Sequence, residues 1–315
     1  MPRRRKKTPP PSPHPKEPHP KEPLPKEPLP KEPLPKKSVP KKSVPKKSLP
    51  SKSVRSEDLR TQILADFATL NVPLRAEAFD AALAEAEREG FSHLKFLQRL
   101  LAEQAGQRRE RSIARRIREA TFQGVHTLAT FDWQFNAKSI NRTQVEELAT
   151  GEFIRRRENL IFLGQSGVGK THLVEAIGRA ACVLGWRVKC LTSAELMQDL
   201  LASLADQTLP KRVRYYAKFD LLIIDELGFD RLERMESPRA TSLLYKVITV
   251  RHGQRSTALV TNIDFELWNE YFGDAHLTMA LMDRVVDSAI IMKISGKSYR
   301  AHRAQTMKPP ESTGE

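Results

Sequence analysis

The eight residues 164–171, GQSGVGKT, constrain this chain most, because they lie between two different kinds of predicted element. Residues 159–163, NLIFL, form an apolar run typical of a strand, and the segment after the octet predicts a helix that Gly185 ends. Three glycines allow the intervening loop to curl so that its backbone N–H groups face inward. The order of strand, glycine loop and helix predicts a site where phosphate groups bind at the N-terminus of a helix.

The octet also fits the spacing G-x-x-x-x-G-K-[ST], which assigns a role to each of its last two residues. Lys170 is predicted to reach the β- and γ-phosphates of a nucleotide, and the Thr171 hydroxyl is predicted to ligate Mg²⁺. The expected nucleotide contacts are Gly164, Gln165, Ser166, Gly167, Val168, Gly169, Lys170, Thr171 and His172.

A second apolar run, in FDLLIIDELGFD, ends in the adjacent carboxylates Asp225 and Glu226. In a parallel sheet, the end of this strand lies at the same edge as the glycine loop. Asp225 is therefore predicted to hold Mg²⁺ through water, and Glu226 to polarise the water that attacks the γ-phosphate. Because a kinase for small molecules needs no such base, the pair favours a nucleoside triphosphatase. The alternative is that both acids only cap the next turn.

A polar strand end and a lone arginine complete the candidate catalytic residues. The run TALVTN ends in Asn262, whose amide is expected near the attacking water, although such a residue is often only a turn former. Arg284 lies on an otherwise apolar helical stretch and suits insertion into a neighbouring subunit's site as an arginine finger. The alternative for Arg284 is an ion pair with Asp283 or Asp287.

The positive charge is concentrated at the start of the chain. Its first 55 residues hold 17 Lys and Arg against 4 Glu, so a net +13 of the formal +15 lies there. Residues 14–54 repeat a five-residue Pro-Lys unit, which predicts a disordered arm with polyproline-II character. The arm is either a salt-sensitive DNA-binding segment or a solubilising spacer.

A predicted helix after the arm carries a second basic patch. Arg108, Arg111, Arg115 and Arg118 recur at steps of three or four residues, which places four guanidinium groups on one side of the helix. Such a side suits a phosphate backbone, but it is equally expected of a solvated face or of a contact with an acidic partner.

Other classes of protein are disfavoured. Cys182 and Cys190 belong to no CxxC pair, so they are expected to be ordinary thiols in a reducing cytoplasm rather than metal ligands or a disulfide. No apolar run approaches the roughly 20 residues of a membrane span, and no apolar stretch follows the basic start as in a secretory signal. The protein is therefore predicted to be soluble and cytoplasmic, without membrane contact.

Together the motifs resemble the IstB-like transposition helper ATPases, which are relatives of the bacterial helicase loaders in the initiator branch of AAA+ proteins. The resemblance extends over about residues 59–300. It rests on the segments FLQRLL, RRERSIARRIREATF, TLATFDW, GQSGVGKTHL, LLIIDELGF, LVTNIDFELWNEYFGD, LMDRVVDSA and GKSYR in this order.

This resemblance implies an ATPase that binds ATP and Mg²⁺, with Glu226 as the base, Asn262 as the sensor and Arg284 as the finger acting in trans. It also implies a homo-oligomer that assembles with ATP on double-stranded DNA and presents that DNA to a transposase, which stimulates hydrolysis. A helicase loader with the same ATPase and a different N-terminal part is the alternative. A DNA-packaging scaffold held by the Pro-Lys arm is a third possibility.

Two further expectations come from the resemblance. The segment between CLTSAELMQDLLASLADQ and LPKRVRYYAKF resembles the extra helical insert of the initiator branch, which often touches DNA. The basic residues Lys211, Arg212, Arg214 and Lys218 favour such a contact, but an ordinary surface helix would look the same. The second arginine sensor of the family has no clear counterpart, because only a short polar tail is expected after Arg300.

The predicted fold class is α/β: a P-loop AAA+ three-layer α/β/α arrangement with a mainly parallel sheet, because short apolar strands alternate with helices after about residue 124. The strands are predicted at residues 159–163, 187–191, 220–224, 257–261 and 289–294. The predicted domains are the disordered arm (1–55), a small helical domain (56–123), the AAA+ ATPase domain (124–302) and a C-terminal tail (303–315).

Overall fold

The computed structural model describes residues 56–72, 74–228 and 239–306, so the predicted Pro-Lys arm lies outside the described residues. Three helices come first: α1 (Ser56–Thr69), α2 (Ala76–Glu89) and α3 (His93–Ala120). The remaining elements are, in order, α4 (Arg142–Ala149), α5 (Glu152–Arg156), β1 (Asn159–Gly164), α6 (Lys170–Leu184), β2 (Val188–Thr192), α7 (Ser193–Ala205), α8 (Leu209–Ala217), β3 (Leu221–Leu227), α9 (Ala240–Arg251), β4 (Ser256–Thr261), a 3₁₀ turn (Phe265–Leu267), α10 (Trp268–Phe272), α11 (Ala275–Val286), β5 (Ala289–Ile294) and α12 (Tyr299–Thr306).

The five strands form one parallel sheet in the order β2-β3-β4-β1-β5. The prediction of a parallel sheet is confirmed, and every observed strand end lies within three residues of the predicted one. Because all strands run in the same direction, the residues that follow β1, β3 and β4 meet at one edge of the sheet. The registers Leu163↔Thr261 and Leu227↔Thr261 bring those three strand ends side by side.

Helices cover both faces of the sheet, as the three-layer prediction requires. Alternate residues of β1 point to opposite faces, so Leu160 and Phe162 join one buried cluster and Ile161 joins another. Helices α4 and α6 pack in the first cluster, and α7 to α11 pack in the second. All three of these β1 side chains are 0% exposed, which explains the continuous apolar run in the sequence.

The first three helices bury a small core of their own, centred on Phe79, Ala82 and Leu100. Helix α3 begins where the Ser92 hydroxyl accepts a hydrogen bond from the backbone N–H of Lys95, as an N-cap. Its other end packs against the sheet domain, because Ala120 is fully buried in the cluster with α6 and β2. One 28-residue helix therefore connects the small core to the sheet.

The end of the described chain corrects the sequence analysis. A short polar tail was expected after Arg300, but α12 continues through Thr306. Ser298 starts the helix, because its hydroxyl accepts from the backbone N–H of Ala301 and its carbonyl oxygen from that of His302. A capping serine before good helix formers was the signal in the sequence. Within the described ranges, no helix combines the length and the apolar character needed to cross a bilayer.

Candidate nucleotide site

The phosphate loop connects β1 to α6 with three glycines at positive φ, namely Gly164, Gly167 and Gly169. The need for glycine is clearest at Gly167, where φ is +80° and an added Cβ would collide with the Ser298 hydroxyl. The backbone N–H of Tyr299 also donates to the carbonyl oxygen of Gly167 at 2.8 Å. The start of α12 therefore lies directly against the phosphate loop.

Lys170, the first residue of α6, points back into its own loop. Its Nζ donates to the carbonyl oxygens of Gly164, at 2.7 Å, and Gln165, at 2.8 Å. Burial lowers the pKa of Lys170, the Asp225 carboxylate opposes that shift, and the Arg300 guanidinium adds to it. The ammonium group is thus held among oxygen acceptors at the N-terminus of a helix, where a phosphate would find both a cation and free backbone N–H groups.

Asp225 and Glu226 both line the cavity beside the loop, although adjacent residues of a regular strand point to opposite faces. A register shift between Ile224 and Leu227 interrupts the pairing of β3 with β4, and Glu226 has φ +59°. This bulge directs both carboxylates to one side of the sheet. Asp225 is 2% exposed, whereas Glu226 is exposed, so the two groups differ sharply in their access to water.

The Asp225 carboxylate contacts the loop as well as its own strand. It accepts hydrogen bonds from the Thr171 hydroxyl and from the backbone N–H of Glu226, the latter at 2.7 Å. Burial raises the pKa of Asp225, and these hydrogen bonds and Lys170 oppose the rise. The structure therefore brings together Lys170, Thr171 and Asp225, which the sequence analysis had placed at one site.

These oxygen groups fit the Mg²⁺ that the sequence predicts. A buried carboxylate beside a hydroxyl supplies hard oxygen ligands, and Mg²⁺ usually takes only one or two protein ligands together with phosphates and water. No group of three His, Cys, Asp or Glu side chains suited to a metal occurs among residues 56–72, 74–228 and 239–306. Thr171 and Asp225 are the residues that would hold the ion.

The cavity has a volume of about 480 Å³ and extends well beyond the phosphate loop. The segment after α3 supplies one wall, and α12 supplies another. The lining residues outside the loop and β3 are Gln123, Val125, His126, Thr130, Phe131, Asp132, Phe135, Val260, Tyr299, Arg300 and Arg303. Apart from Arg300, these residues were not indicated by the sequence, because most of them come from the loop between α3 and α4 and from α12, without a periodic pattern.

Two aromatic contacts join the walls of the cavity. Phe135 packs edge-on against Tyr299, with ring centroids 5.0 Å apart, and Phe131 packs edge-on against His172 at 5.1 Å. His172 was expected to contact nucleotide, and it does line the cavity. Apolar rings beside charged phosphate-binding groups offer a surface for a planar base next to the triphosphate subsite.

Asn262 follows β4 at the correct edge of the sheet but is not among the residues that line the cavity. It is exposed, and its Oδ1 lies against Gly228, just beyond β3. Its assignment as a sensor stays a prediction.

Arg284 lies far from the phosphate loop of its own chain. It belongs to the last turn of α11, and its carbonyl oxygen accepts from the Asn159 side-chain amide at 3.3 Å, where β1 begins. Its guanidinium group lies over the Tyr245 ring, 4.8 Å from the centroid, and donates to the Ala280 carbonyl oxygen at 2.9 Å. Arg284 forms no ion pair with an acid in the described ranges, so the structure shows no bridge to Asp283 or Asp287. Its role as an arginine finger stays a prediction.

The proteins that this chain resembles are described as ATP-binding proteins, in agreement with a nucleotide site. A family model described as IstB-like ATP binding protein matches residues 65–307. An ATP-binding protein of insertion sequence IS5376, so described in Geobacillus stearothermophilus, is 34% identical over 232 residues, covering 73% of this chain and 90% of the relative. One described for insertion sequence IS21 in Pseudomonas aeruginosa is 33% identical, covering 70% of this chain and 82% of the relative.

Among solved structures, the crystal structure of the DnaC helicase loader is 22% identical and covers 53% of this chain and 96% of that one, with a TM-score of 0.42. At this level of similarity the solved structure does not bear on the function of the present chain. The family model and the relatives from insertion sequences decide the assignment, since the matched residues include the whole phosphate loop, both carboxylates and α12. This chain belongs to the family of IstB-like ATP-binding proteins.

Proposed function

We propose that this protein is a DNA-dependent ATPase that assists transposition. It binds ATP, assembles on double-stranded target DNA as a homo-oligomer, and delivers that DNA to the transposase of the same element. ATP hydrolysis, stimulated by DNA and transposase, then releases the assembly. The observation that carries the proposal is the division of the catalytic groups, with Lys170, Asp225 and Glu226 at one cavity and Arg284 at the opposite sheet edge.

Within one subunit, each group has a distinct part in hydrolysis. Lys170 and the loop N–H groups hold the β- and γ-phosphates. Thr171 and Asp225 would hold Mg²⁺, which would supply positive charge to the phosphate oxygens. Glu226 is exposed to water and accepts a proton from the attacking molecule. The water oxygen bonds to the γ-phosphorus, the bond to the β–γ bridging oxygen breaks, and ADP and phosphate leave.

The position of Arg284 supports assembly into an oligomer. A cation that cannot reach its own phosphate loop, and that is not neutralised by a described acid, is suited to the nucleotide of a neighbouring subunit. The Tyr245 ring and the Ala280 carbonyl oxygen hold the guanidinium group in place until a neighbour arrives. Hydrolysis by the isolated subunit is then slow, because the site is incomplete without its neighbour.

The DNA surface is formed by α3 and α8. The four arginines of the predicted stripe, Arg108, Arg111, Arg115 and Arg118, are all exposed in the second half of α3. On α8 and just after it, Lys211, Arg214 and Lys218 are exposed, whereas Arg212 is paired with Asp199 at 3.1 Å. Exposed guanidinium groups along a helix contact phosphates without reading sequence, so salt-dependent binding to duplex DNA is expected.

The relatives, which are described as proteins of insertion sequences, support a transposase as the partner. An insertion sequence moves by means of its transposase, so the transposase is the expected partner of an ATPase encoded in the same element.

The test compares the full chain with Glu226→Gln and Lys170→Ala. Glu226→Gln is expected to bind ATP and remain on a DNA duplex as an oligomer, with hydrolysis reduced on the order of 10²-fold or more. Lys170→Ala is expected to lose ATP binding and ATP-dependent assembly. Sedimentation with labelled duplex, nucleotide binding and phosphate release provide the readouts. A Glu226→Gln protein with normal turnover, or DNA assembly that ignores ATP, would contradict the proposal.

A further inference from the structure

The segment between α3 and α4 begins with a buried connection to α6. The Glu175 side chain, 1% exposed, accepts hydrogen bonds from the backbone N–H groups of Gln123, at 2.8 Å, and Gly124, at 3.3 Å. The same carboxylate contacts Nδ1 of His126 at 2.7 Å. All three partners lie in residues 121–130, which we call the linker, directly after α3 ends.

Two more side chains on the same face of α6 hold the linker. His172 Nε2 lies 2.9 Å from the Thr127 carbonyl oxygen, and Arg179 donates to the Gly124 carbonyl oxygen while its guanidinium group lies over the Phe122 ring. His172, Glu175 and Arg179 are three and four residues apart, so they form one stripe along α6. The linker follows this stripe for about two helical turns, from His172 to Arg179.

The linker lies between the nucleotide cavity and the basic helix α3. Gln123, Val125, His126 and Thr130 line the nucleotide cavity, and α6 itself begins at Lys170 of the phosphate loop. At its other end the linker joins α3, the helix that carries the exposed arginines. Thr121 marks that junction with φ +58°, and its hydroxyl donates to the Cys190 carbonyl oxygen in β2 at 2.6 Å.

The chemistry of Glu175 makes this connection stiff. A fully buried carboxylate is costly unless strong donors surround it, and the groups that bind Glu175 in the described part of the chain all come from the linker. Any movement of the linker away from α6 would leave the charge buried without partners. A neutral apolar side chain at position 175 could be buried equally well, and movement of the linker away from α6 would then leave no buried charge without partners.

We propose that Glu175 is a positioning residue that couples the nucleotide cavity to the basic helix α3. By holding the linker on α6, it makes the N-terminus of α6, the cavity wall and the end of α3 move as one body. Nucleotide binding at the phosphate loop thereby sets the orientation of the arginine stripe for duplex DNA. This coupling rests on the function proposed above, since it needs ATP at the cavity and DNA at α3.

The experiment uses the full chain, Glu175→Gln and the control Glu146→Gln, which alters an exposed ion pair with Arg142 on α4. Hydrogen–deuterium exchange is measured with and without a non-hydrolysable ATP analogue and Mg²⁺. In the wild type, the analogue is expected to slow exchange in the linker and in the last turns of α3. In Glu175→Gln, the analogue still binds, but protection at the end of α3 is lost. Glu146→Gln behaves as the wild type.

The second readout is the ratio of DNA affinities with and without the analogue. Because coupling is reciprocal, DNA must strengthen binding of the analogue by the same factor by which the analogue strengthens binding of DNA. A substitution that only destabilises the fold would leave this coupling factor unchanged. Glu175→Gln is expected to reduce the ratio about tenfold, as fits the loss of a charge-assisted network. An unchanged ratio and unchanged protection of α3 in Glu175→Gln would overturn the inference.

Failure of the proposed function gives a different result. If wild-type DNA affinity ignores the analogue while the analogue still protects α3, the DNA switch is wrong and the connection through Glu175 stands. If the analogue binds the wild type without protecting α3, the connection itself is wrong. If Glu175→Gln does not fold, His126→Phe serves as the second variant, because it keeps an aromatic ring beside His172 and removes one partner of the Glu175 carboxylate. His126→Phe must then also lower the ratio of DNA affinities with and without the analogue.

Discussion

The side-chain amide of Asn159 donates to the carbonyl oxygen of Arg284 at 3.3 Å, and this contact fixes the end of α11 where β1 begins. The phosphate loop starts where β1 ends, at Gly164. Five residue steps of a strand separate these positions by roughly 17 Å. Arg284 and the phosphate loop of one chain are thus held apart by the rigid centre of the sheet.

Replacing Arg284 by Ala tests its action between subunits. We expect unchanged nucleotide affinity of the isolated subunit, because the residue is remote from its own cavity, and a loss of assembled ATPase activity on the order of 10³-fold. Arg156→Ala, which removes an exposed arginine on α5, is the control. Equal losses of activity in assembled and isolated protein would contradict the assignment.

A second test concerns Arg300, which lines the cavity and lowers the pKa of Lys170 through its charge. We expect a cation at this place to interact most with the additional charge of a third phosphate. Arg300→Ala should therefore weaken ATP binding about tenfold, or about 1.4 kcal/mol, with a smaller effect on ADP. Lys297→Ala, an exposed cation outside the cavity, should change neither affinity. Equal weakening of ATP and ADP would remove Arg300 from γ-phosphate recognition.

A third test concerns the stability of the sheet. Arg251 is 1% exposed and donates to the carbonyl oxygens of Tyr216, Phe219 and Ser256 and to the Thr257 hydroxyl. Burial lowers the pKa of Arg251 to about 9, so the group stays charged near pH 7. Arg251→Met would leave three carbonyl oxygens without this donor.

The free energy of unfolding should fall by about 3–5 kcal/mol in Arg251→Met, as measured by urea denaturation. The matched control is Arg255→Met, which removes a partly exposed guanidinium group paired with Asp220 at 3.1 Å and should cost about 1 kcal/mol or less. Similar losses of unfolding free energy in the two variants would mean that the buried hydrogen bonds of Arg251 contribute little to stability.

A fourth test uses pH. Burial lowers the pKa of His172 below its ordinary value of 6.5, although the Thr127 carbonyl oxygen opposes the shift. As pH falls below about 6.5, the unfolded chain takes up a proton that folded His172 resists, so this residue's contribution to stability is lost progressively. His126 and Glu175 face the same ring: the charge of His126 lowers the pKa of His172 further, and the charge of Glu175 opposes the shift.

The measurement compares the wild type with His172→Gln, whose amide is also able to donate to the Thr127 carbonyl oxygen. Below pH 6.5 the stability of the wild type should fall more steeply with pH than that of His172→Gln. The difference between their denaturation midpoints should therefore narrow or reverse on acidification. A difference that stays constant from pH 7.5 to 5.5 would show that His172 titrates normally.

The sequence predicted those parts of the site that depend on local pattern. A glycine loop between a strand and a helix has one workable geometry, and Asp225 and Glu226 follow from an apolar run of the correct length. The bulge that directs both acids into one cavity was not predictable, because it depends on pairing with β4. Arg251 and Glu175 were missed for a similar reason, since their partners lie as many as 35 and 52 residues away.

The placement of Arg284 was only partly predictable. Its isolation on an apolar helix indicated a special role, and its contact with the Tyr245 ring was not predictable from the sequence. Its role as an arginine finger stays a prediction. The domain boundaries and the sensor role of Asn262 stay predictions. The predicted arm lies outside the described residues, so its two interpretations are both still open.

Cys182 in α6 and Cys190 in β2 are 0% and 2% exposed. Burial raises the pKa of the Cys182 thiol to about 11 and that of the Cys190 thiol further. Thiol reagents attack the thiolate, so neither native sulfur competes for a maleimide dye in the folded protein. A single cysteine introduced on the solvent side of α3 would therefore carry a fluorophore without prior removal of the natural ones. Tilting of that helix during an ATP cycle could then be followed by fluorescence in otherwise unaltered protein.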